Sequence, residues 1–506
     1  MNTERSRNKL LTILVIIMVS LFILCTKKSE IEPEEIILAR IGDKTISLNE
    51  FIRRAEYNIR PVYCKGSNNI HKKIVLNSLI AEKMLALEAG EDNKLSHNKH
   101  YQRFIQGRRE QAMRQWLYHK EGIEKVKLDT AEIKKVYQVA GRKYNVSYYS
   151  INNDSMAEII GSKLKESKEL FDQIYFELSG SDTIPQREVD YNVHEHSVIH
   201  NALFSGKIKV GEVIGPLKVG NGSHIFLKVN GWSGRPAITE KDRIQRWNDV
   251  KERLAEKEAL QIYEEYIHKI MKGKKVDFFP DIFYKLVDLV GPQYFSTQEK
   301  GKELFLHMAL DKKIENPLYE IGEGIEDIID EPLFQVDEKI WTVREFGKEM
   351  EIHPLVYRNK RMIRNEFGKQ FKLAIVDMIR DKYLAEEAYK KGYDKVNVVK
   401  RNTEMWNDAC LALYQKSKYL KEINPEEEDV MSLITKYLNP YVDELQEKYN
   451  DVIEVNVEEF DKIKLTRIDM FVTQSNVPFP IIVPSFPQVT TDHKLDYGRG
   501  MGRADN

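Results

Sequence analysis

The sequence predicts an α+β protein that is mainly helical, in which a small α/β module interrupts one helical domain and a second helical, repeat-like domain follows. Three observations predict this class. Apolar residues recur at helical spacing over long stretches such as 71–90, β-like runs are concentrated in one central region, and a strand-and-helix pattern occurs twice.

Composition limits the class of protein before any motif is considered. The chain has 506 residues, 42% apolar and 31% charged, which is ordinary for a folded protein of about three domains. Wholesale disorder and a polytopic membrane protein are therefore excluded. The formal net charge of −1 disfavours nucleic-acid binding, and three cysteines are too few for a disulfide framework or a multi-cysteine zinc site.

The first 25 residues have the pattern of an export signal. Basic residues precede an apolar run over 10–24 that is short for a membrane span, and Cys25 follows it directly. This pattern resembles a bacterial lipoprotein signal, which implies that Cys25 is lipidated; the alternative is an uncleaved signal anchor. On either interpretation we expect an exported protein, anchored to the membrane of the cell envelope, with residues 26–36 as a charged tether.

A helical domain is predicted over 37–140, and it resumes over 237–277. It opens with two short strands around a Gly-Asp turn, after which Ser47 and Glu50 have the spacing of a capping box at the start of a helix. The returning helix carries acidic and basic residues in comparable numbers, which is typical of a solvated face rather than a nucleic-acid surface.

The α/β module is predicted over 141–236. A β-like run over 143–151 is followed by a helical stretch, and two further β runs over 213–219 and 224–229 are joined by a glycine turn. These last two runs predict a hairpin, so the module should close into a compact unit of strands and helices.

An internal repeat defines the second helical domain, predicted over 278–420. Residues 41–51 parallel 336–346, and residues 79–89 parallel 378–388, so the same strand–cap–helix–helix unit occurs twice. The alternative is two unrelated amphipathic helices that follow turns. The remaining residues, 421–506, are predicted to form a C-terminal region that ends in an extended, partly disordered tail from about Pro478.

Together these features resemble the bacterial envelope foldases, in which a parvulin-type peptidyl-prolyl isomerase module is inserted in a split helical chaperone domain. The family's opening strand, Gly-Asp turn and capped helix match residues 39–51, and its "L-I-x-E-K-L-L-x-x-E-A" helix matches 79–89. The closing parvulin signature, "G-E-x-x-G-P-V…G-x-H-I-I", matches residues 211–217 and 222–226.

The resemblance implies peptidyl-prolyl cis–trans isomerase and chaperone activity on unfolded or partly folded exported polypeptides and their prolyl segments. The family residues carry over to His224 and Tyr148 as catalytic residues and to Ile199, Phe204 and Phe226 as substrate-binding residues. Tyr148 stands where the family usually has a histidine, and the family's Gly-Gly-x-Leu-Gly turn is absent. No cofactor, metal or nucleic acid is implied.

The chemistry of this reaction is consistent with a site that has neither metal nor nucleophile. Rotation about a peptide C–N bond has a barrier of about 18–20 kcal/mol. Lowering it requires an apolar seat for the proline ring and a dry, polar surround that favours the twisted amide. His224 could act there with Tyr148 as a donor, or it could be a histidine packed on a sheet for structural reasons.

Several alternatives stay open at this point. The module could be degenerate, which would leave a non-catalytic holdase, or the chain could be a structural lipoprotein with one fixed partner. His194, His196 and His200 could form part of a metal site, although a solvated polar loop is the simpler interpretation. Cys64 and Cys410 could be separate thiols or a long-range disulfide.

Overall fold

The structure, a computed structural model, describes residues 35–192, 195–220, 222–308, 324–359, 362–426, 429–466, 470 and 480–501. The predicted export signal, Cys25 and His194 lie outside the described residues. The fold is mainly helical with several small sheets, which confirms the α+β class. Among the described residues, no helix combines the length and the apolar composition that crossing a membrane requires.

The described strands are short, apart from three strands of the central module. In chain order they are β1 Ile37–Ile41, β2 Lys44–Ser47, β3 Arg142–Ile151, β4 Gln186–Asp190, β5 Val213–Gly220, β6 Ser223–Gly234, β7 Val276–Phe278, β8 Pro332–Val336, β9 Lys339–Thr342, β10 Ile453–Val455 and β11 Arg499–Gly500. They form sheets in the orders β11-β10-β1-β2, β4-β3-β6-β5 and β7-β8-β9.

The helices account for most of the described chain. In order they are α1 Leu48–Glu56, α2 Asn69–Ala89, α3 Lys99–Glu121, α4 Thr130–Ala140, α5 Asp154–Glu166, α6 Leu170–Ser179, α7 Ser197–Phe204, α8 Glu240–Ile270, α9 Pro280–Met308, α10 Val343–Ile352, α11 Phe367–Lys390, α12 Asn397–Ile423, α13 Val430–Leu433, α14 Asn439–Tyr449 and α15 Val457–Lys462. A π-helical turn, Ile434–Leu438, joins α13 to α14.

The chain forms two compact units. Unit 1 contains the described residues up to Glu91 and from Asp408 onward, and unit 2 contains Asp92–Asn407. The sequence predicts a separate C-terminal region over 421–506. In the structure the segment returns to the first strands, because three-residue strand β10 pairs antiparallel with β1 and Val442, Leu445 and Phe460 lie in the same core as α2.

The two sequence repeats form the same local structure. Each has a hairpin, β1–β2 or β8–β9, whose turn begins with a residue at positive φ: Gly42 at 60° and Asp337 at 54°. Each hairpin ends in a hydroxyl N-cap, Ser47 or Thr342, because a hydroxyl oxygen accepts an N–H that the first helical turn leaves without a partner.

A third strand completes each repeat hairpin, and it comes from the other repeat. Strand β7, which follows the helices of the first repeat, pairs with β8; strand β10, which follows those of the second, pairs with β1. The registers correspond: Ile41 is opposite Ile453, and its repeat counterpart Val336 is opposite Val276. The two repeats therefore exchange their closing strands.

The sequence predicts an extended, partly disordered tail from about Pro478, but residues 480–501 pack against unit 1. They are extended and contain no helix, but Phe486, Val489 and Thr490 are 5%, 3% and 1% exposed in the core of unit 1. A short parallel pairing of β11 with β10 ends the segment. The proline-rich composition predicted the extended backbone correctly but could not indicate that Phe486 and Val489 are buried.

Candidate functional site

The α/β module is inserted between two helices of unit 2 that pack together. The Tyr137 ring of α4 lies 5.9 Å from the Trp247 ring of α8, and the Arg235 N–H donates to the Gly141 carbonyl at 2.7 Å. The chain therefore enters and leaves the module at one place, so that α4 and α8 can pack as if the inserted residues were absent.

The module is built on the four-stranded antiparallel sheet β4-β3-β6-β5. Strands β5 and β6 form the predicted hairpin, and β3 pairs with β6 along its whole length, so that Tyr144 is opposite Trp232 and Val146 is opposite Val229. The two ends of the module are thus neighbours in one sheet, which is the closure that the sequence predicted.

The register of β3 against β6 divides the predicted site residues between the two faces of the sheet. Tyr148 is opposite Leu227 and Ile151 is opposite His224, with no irregularity between them. Because directly opposed residues share a face and successive residues alternate, Tyr148 and His224 point to opposite faces. The two proposed catalytic side chains therefore cannot act on one amide bond in this arrangement.

The Tyr148 face is covered by helices α4, α7 and α8. Ile199 and Phe204 of α7 are each 2% exposed, and they pack with Val136 and Val250 from the flanking helices. The guanidinium of Arg187 lies 5.0 Å from the Tyr148 ring centroid. Ile199 and Phe204 are therefore covered by the protein's own side chains and offer almost no exposed apolar surface to a proline ring.

The His224 face is covered by α5 and α6. Phe226 is fully buried and stacks with Tyr149 at a centroid distance of 5.4 Å, so it lies on the face opposite Ile199 and Phe204. Burial raises the pKa of Tyr149, whose hydroxyl has no hydrogen-bond partner among the described residues. The predicted substrate-binding residues are thus split between two packed cores.

His224 is 9% exposed and sits at the edge of its core. Its Nε2 lies 3.6 Å from Oδ1 of Asp154, which is exposed in the first turn of α5, and its Nδ1 has no partner among the described residues. Asp154 was not among the residues that the sequence singled out. The pair forms a partly exposed polar cluster, but the distance is long for a hydrogen bond.

The other described histidines of the region, His196 and His200, have structural contacts. His196 is the N-cap of α7, and His200 is packed against Tyr191, with Nε2 lying 3.1 Å from the Tyr191 carbonyl oxygen. Burial, and then the charge of Arg253, lowers the pKa of His200 to about 4, so the ring is neutral at pH 7. In the part of the chain that the structure describes, no group of three or more potential ligands could hold a metal ion.

Cys64 is a buried free thiol in unit 1. Burial raises its pKa to about 12, which makes the reactive thiolate scarce at neutral pH. The Cys64 thiol is therefore part of the core rather than a nucleophile.

Comparison with known proteins adds no assignment: no family model, no curated protein and no solved structure matches this chain.

Proposed function

We propose that the protein is an exported folding factor that holds unfolded or partly folded polypeptides and does not isomerise their prolyl bonds. The observation that carries this proposal is the burial of Ile199, Phe204 and Phe226 in two separate cores. An isomerase must admit a proline ring next to its polar groups, and the burial of the three side chains expected to seat that ring supports a non-catalytic role. On this proposal the α/β module has a structural role and no catalytic one. Export and membrane anchoring remain expectations from residues 1–25.

Exposed apolar side chains in corresponding loops of the two repeats support the holding activity. Between α1 and α2, Ile59 and Val62 are 68% and 88% exposed; between α10 and α11, Val356 and Ile363 are 65% and 61% exposed. Single exposed apolar residues are common, but two such pairs at the same place in a duplicated unit are the pattern expected of a repeated contact surface. Weak apolar contacts suit partners of varied sequence.

Aggregation of a chemically unfolded client, followed by light scattering, tests the proposal. We expect the wild type to suppress aggregation. Val62→Glu combined with Val356→Glu should require at least about tenfold more protein for equal suppression, since one buried valine contact is worth about 1.5 kcal/mol and tenfold in affinity is about 1.4 kcal/mol. Val210→Glu is the matched control, because Val210 is 60% exposed on the module.

A protease-coupled prolyl peptide assay separates the holdase from the isomerase. We expect the rate to stay at the uncatalysed background, both for the wild type and for His224→Ala. A rate above background that His224→Ala abolishes would overturn the non-catalytic assignment. Failure of the wild type to suppress aggregation would instead favour a structural lipoprotein with one fixed partner.

A further inference from the structure

The C-terminal segment 480–501 lies on unit 1 in the manner of a bound peptide. Four side chains from the body of the unit donate hydrogen bonds to its main-chain carbonyl oxygens. Asn58 Nδ2 donates to Pro484 at 2.6 Å, Arg54 Nη2 to Ser485 at 3.2 Å, Lys416 Nζ to Gln488 at 2.7 Å, and Asn77 Nδ2 to Asp492 and Lys494 at 2.9 and 2.7 Å.

These donors recognise backbone, not side chains. A carbonyl oxygen is present at every residue, including proline, whereas proline has no N–H to offer. A row of side-chain donors can therefore bind an extended segment of varied sequence, and it suits a segment interrupted by prolines. Residues 480–489 have this composition: Pro480, Pro484 and Pro487 alternate with isoleucine, valine and phenylalanine.

Two of the donors, Arg54 and Asn77, are fully buried, and the other two, Asn58 and Lys416, are partly buried. Asn77 is fully buried, and its Oδ1 accepts a hydrogen bond from the Tyr497 hydroxyl at 2.6 Å. Burial lowers the pKa of Lys416 to about 8, and the hydrogen bond described for its ammonium goes to the Gln488 carbonyl. Apolar anchors accompany them, because Phe486 and Val489 insert into the unit 1 core between the carbonyl contacts.

The second repeat has no such row of donors at the aligned positions. Counting along the parallel segments, Arg54, Asn58 and Asn77 correspond to Glu349, His353 and Val376. Folding of the repeat therefore does not require these donors, and they occur in the unit that carries the extended segment.

We propose that the groove formed by Arg54, Asn58, Asn77 and Lys416 is a binding site for extended, proline-containing segments of client polypeptides, and that residues 480–492 occupy it as an internal competitor. This inference rests on the proposed holding function and names its substrate class. The tail supplies what such a client would supply: free carbonyl oxygens, apolar side chains and prolines. A client binds by displacing the segment, so the tail sets a threshold for binding.

Substitutions on the two sides of the contact should have opposite effects in the full chain. The probe is a fluorescent peptide with the sequence of residues 480–491, followed by polarisation. Phe486→Ala weakens the tail but leaves the donors, and should tighten peptide binding about tenfold, because apparent affinity scales with the fraction of molecules whose groove is open. Adding Lys416→Met to Phe486→Ala should remove this gain. A purely structural tail predicts no gain from Phe486→Ala.

Hydrogen exchange of the unmodified protein covers the case in which Phe486→Ala fails to fold. A displaceable tail requires that the amides of 485–492 exchange through an opening that leaves α2 protected. Exchange of both segments at one common rate would overturn the groove proposal. Normal aggregation suppression together with no peptide binding to Phe486→Ala would also overturn it while leaving the proposed function intact, whereas peptide binding without suppression would remove the function alone.

Discussion

The two repeats share a backbone but use different buried polar groups. Both place a phenylalanine, Phe51 or Phe346, fully buried behind a hairpin, and both receive their third strand in the same register. The hairpin, the N-cap and the phenylalanine are therefore the features on which the fold depends. The buried charged residues differ, so each unit pairs its buried charges with a different set of partners.

In unit 1 the buried carboxylates are paired with an arginine and a lysine, which stay protonated at neutral pH. Arg54 donates two hydrogen bonds of 2.7 Å to the Glu82 carboxylate, and Lys83 Nζ lies 3.0 Å from both Glu50 and Asp408. In unit 2 the counterpart of Arg54 is Glu349, and the Glu349 carboxylate lies 3.2 Å from the Lys382 ammonium. Glu110 occupies the same position along α3 that Asp408 occupies along α12. The Glu110 carboxylate lies 2.8 Å from His353 Nε2.

The largest difference is expected on removing Arg54. Arg54→Met leaves Glu82 buried without its bidentate partner, which should cost about 3–5 kcal/mol of unit 1 stability. The matched change in unit 2, Glu349→Met, should cost about 1 kcal/mol or less, because its partner Lys382 is partly exposed. Denaturant unfolding followed by circular dichroism measures both.

Tryptophan fluorescence assigns each loss to its unit. All five tryptophans lie within Asp92–Asn407, so their emission reports chiefly on unit 2. Arg54→Met should shift the dichroism transition and leave the fluorescence transition in place. Replacing both partners, Arg54→Met with Glu82→Leu, should recover much of the loss. Equal shifts in both signals for Arg54→Met would show that the two units unfold together rather than separately.

Local features of the repeats could be predicted from the sequence, but the exchange of closing strands could not. The turn at Gly42, the cap at Ser47 and the apolar stripe of α2 are signals within a few residues. Strand β10 has three residues, and its partner β1 lies about 400 positions earlier in the chain. Nothing in so short a segment distinguishes it from a loop, and its pairing depends on tertiary packing.

Acid should change the contributions of two buried carboxylates, Glu110 in unit 2 and Glu50 in unit 1, in opposite directions. Burial alone would raise the pKa of Glu110, but contacts with His353 and Gln106 outweigh it and the pKa is lowered. The ionised form is thus favoured by folding, so its contribution is present above the ordinary value of about 4.3 and is lost as the pH falls through the lowered pKa. Burial raises the pKa of Glu50, so its protonation at low pH stabilises unit 1.

Glu110→Gln isolates this effect, since it keeps the volume and removes the titration. Between neutral pH and pH of about 3, the fluorescence-detected unfolding midpoint of the wild type should fall more steeply than that of the variant. The mirror variant, Glu50→Gln, should change the dichroism-detected acid response and leave the fluorescence response unaltered. Parallel pH profiles of wild type and Glu110→Gln would show that Glu110 does not couple to unit 2 stability.

The hairpin that contains the parvulin-like motif could be predicted from the sequence, but the arrangement of the candidate site residues could not. The motif identified β5 and β6, but whether Tyr148 and His224 face each other depends on the register of β3, which no local signal specifies. A shift of one residue would have placed them on one face. The groove for the tail was missed for a related reason: Asn58, Asn77 and Lys416 are far apart in sequence, and each resembles an ordinary polar residue in or beside a helix.

The smallest difference concerns the helix caps. Thr342 and Glu345 form a complete capping box: each side-chain oxygen accepts the other residue's N–H, at 3.2 and 3.1 Å. The sequence predicted the same box for Ser47 and Glu50, but only the Ser47 half is present, at 3.1 Å, because the Glu50 carboxylate turns towards Lys83.

Ser47→Ala and Thr342→Ala should each cost about 1 kcal/mol, because each removes one acceptor from an N–H of the first turn. Glu345→Ala should add a further loss in unit 2, seen by fluorescence, since the Thr342 N–H then loses its acceptor. A unit 2 that loses nothing on Glu345→Ala would show that water replaces the carboxylate at this exposed end. The complete box would then be a consequence of Glu345 having no buried lysine to face, and the difference between the repeats would lie in Lys83 rather than in the cap.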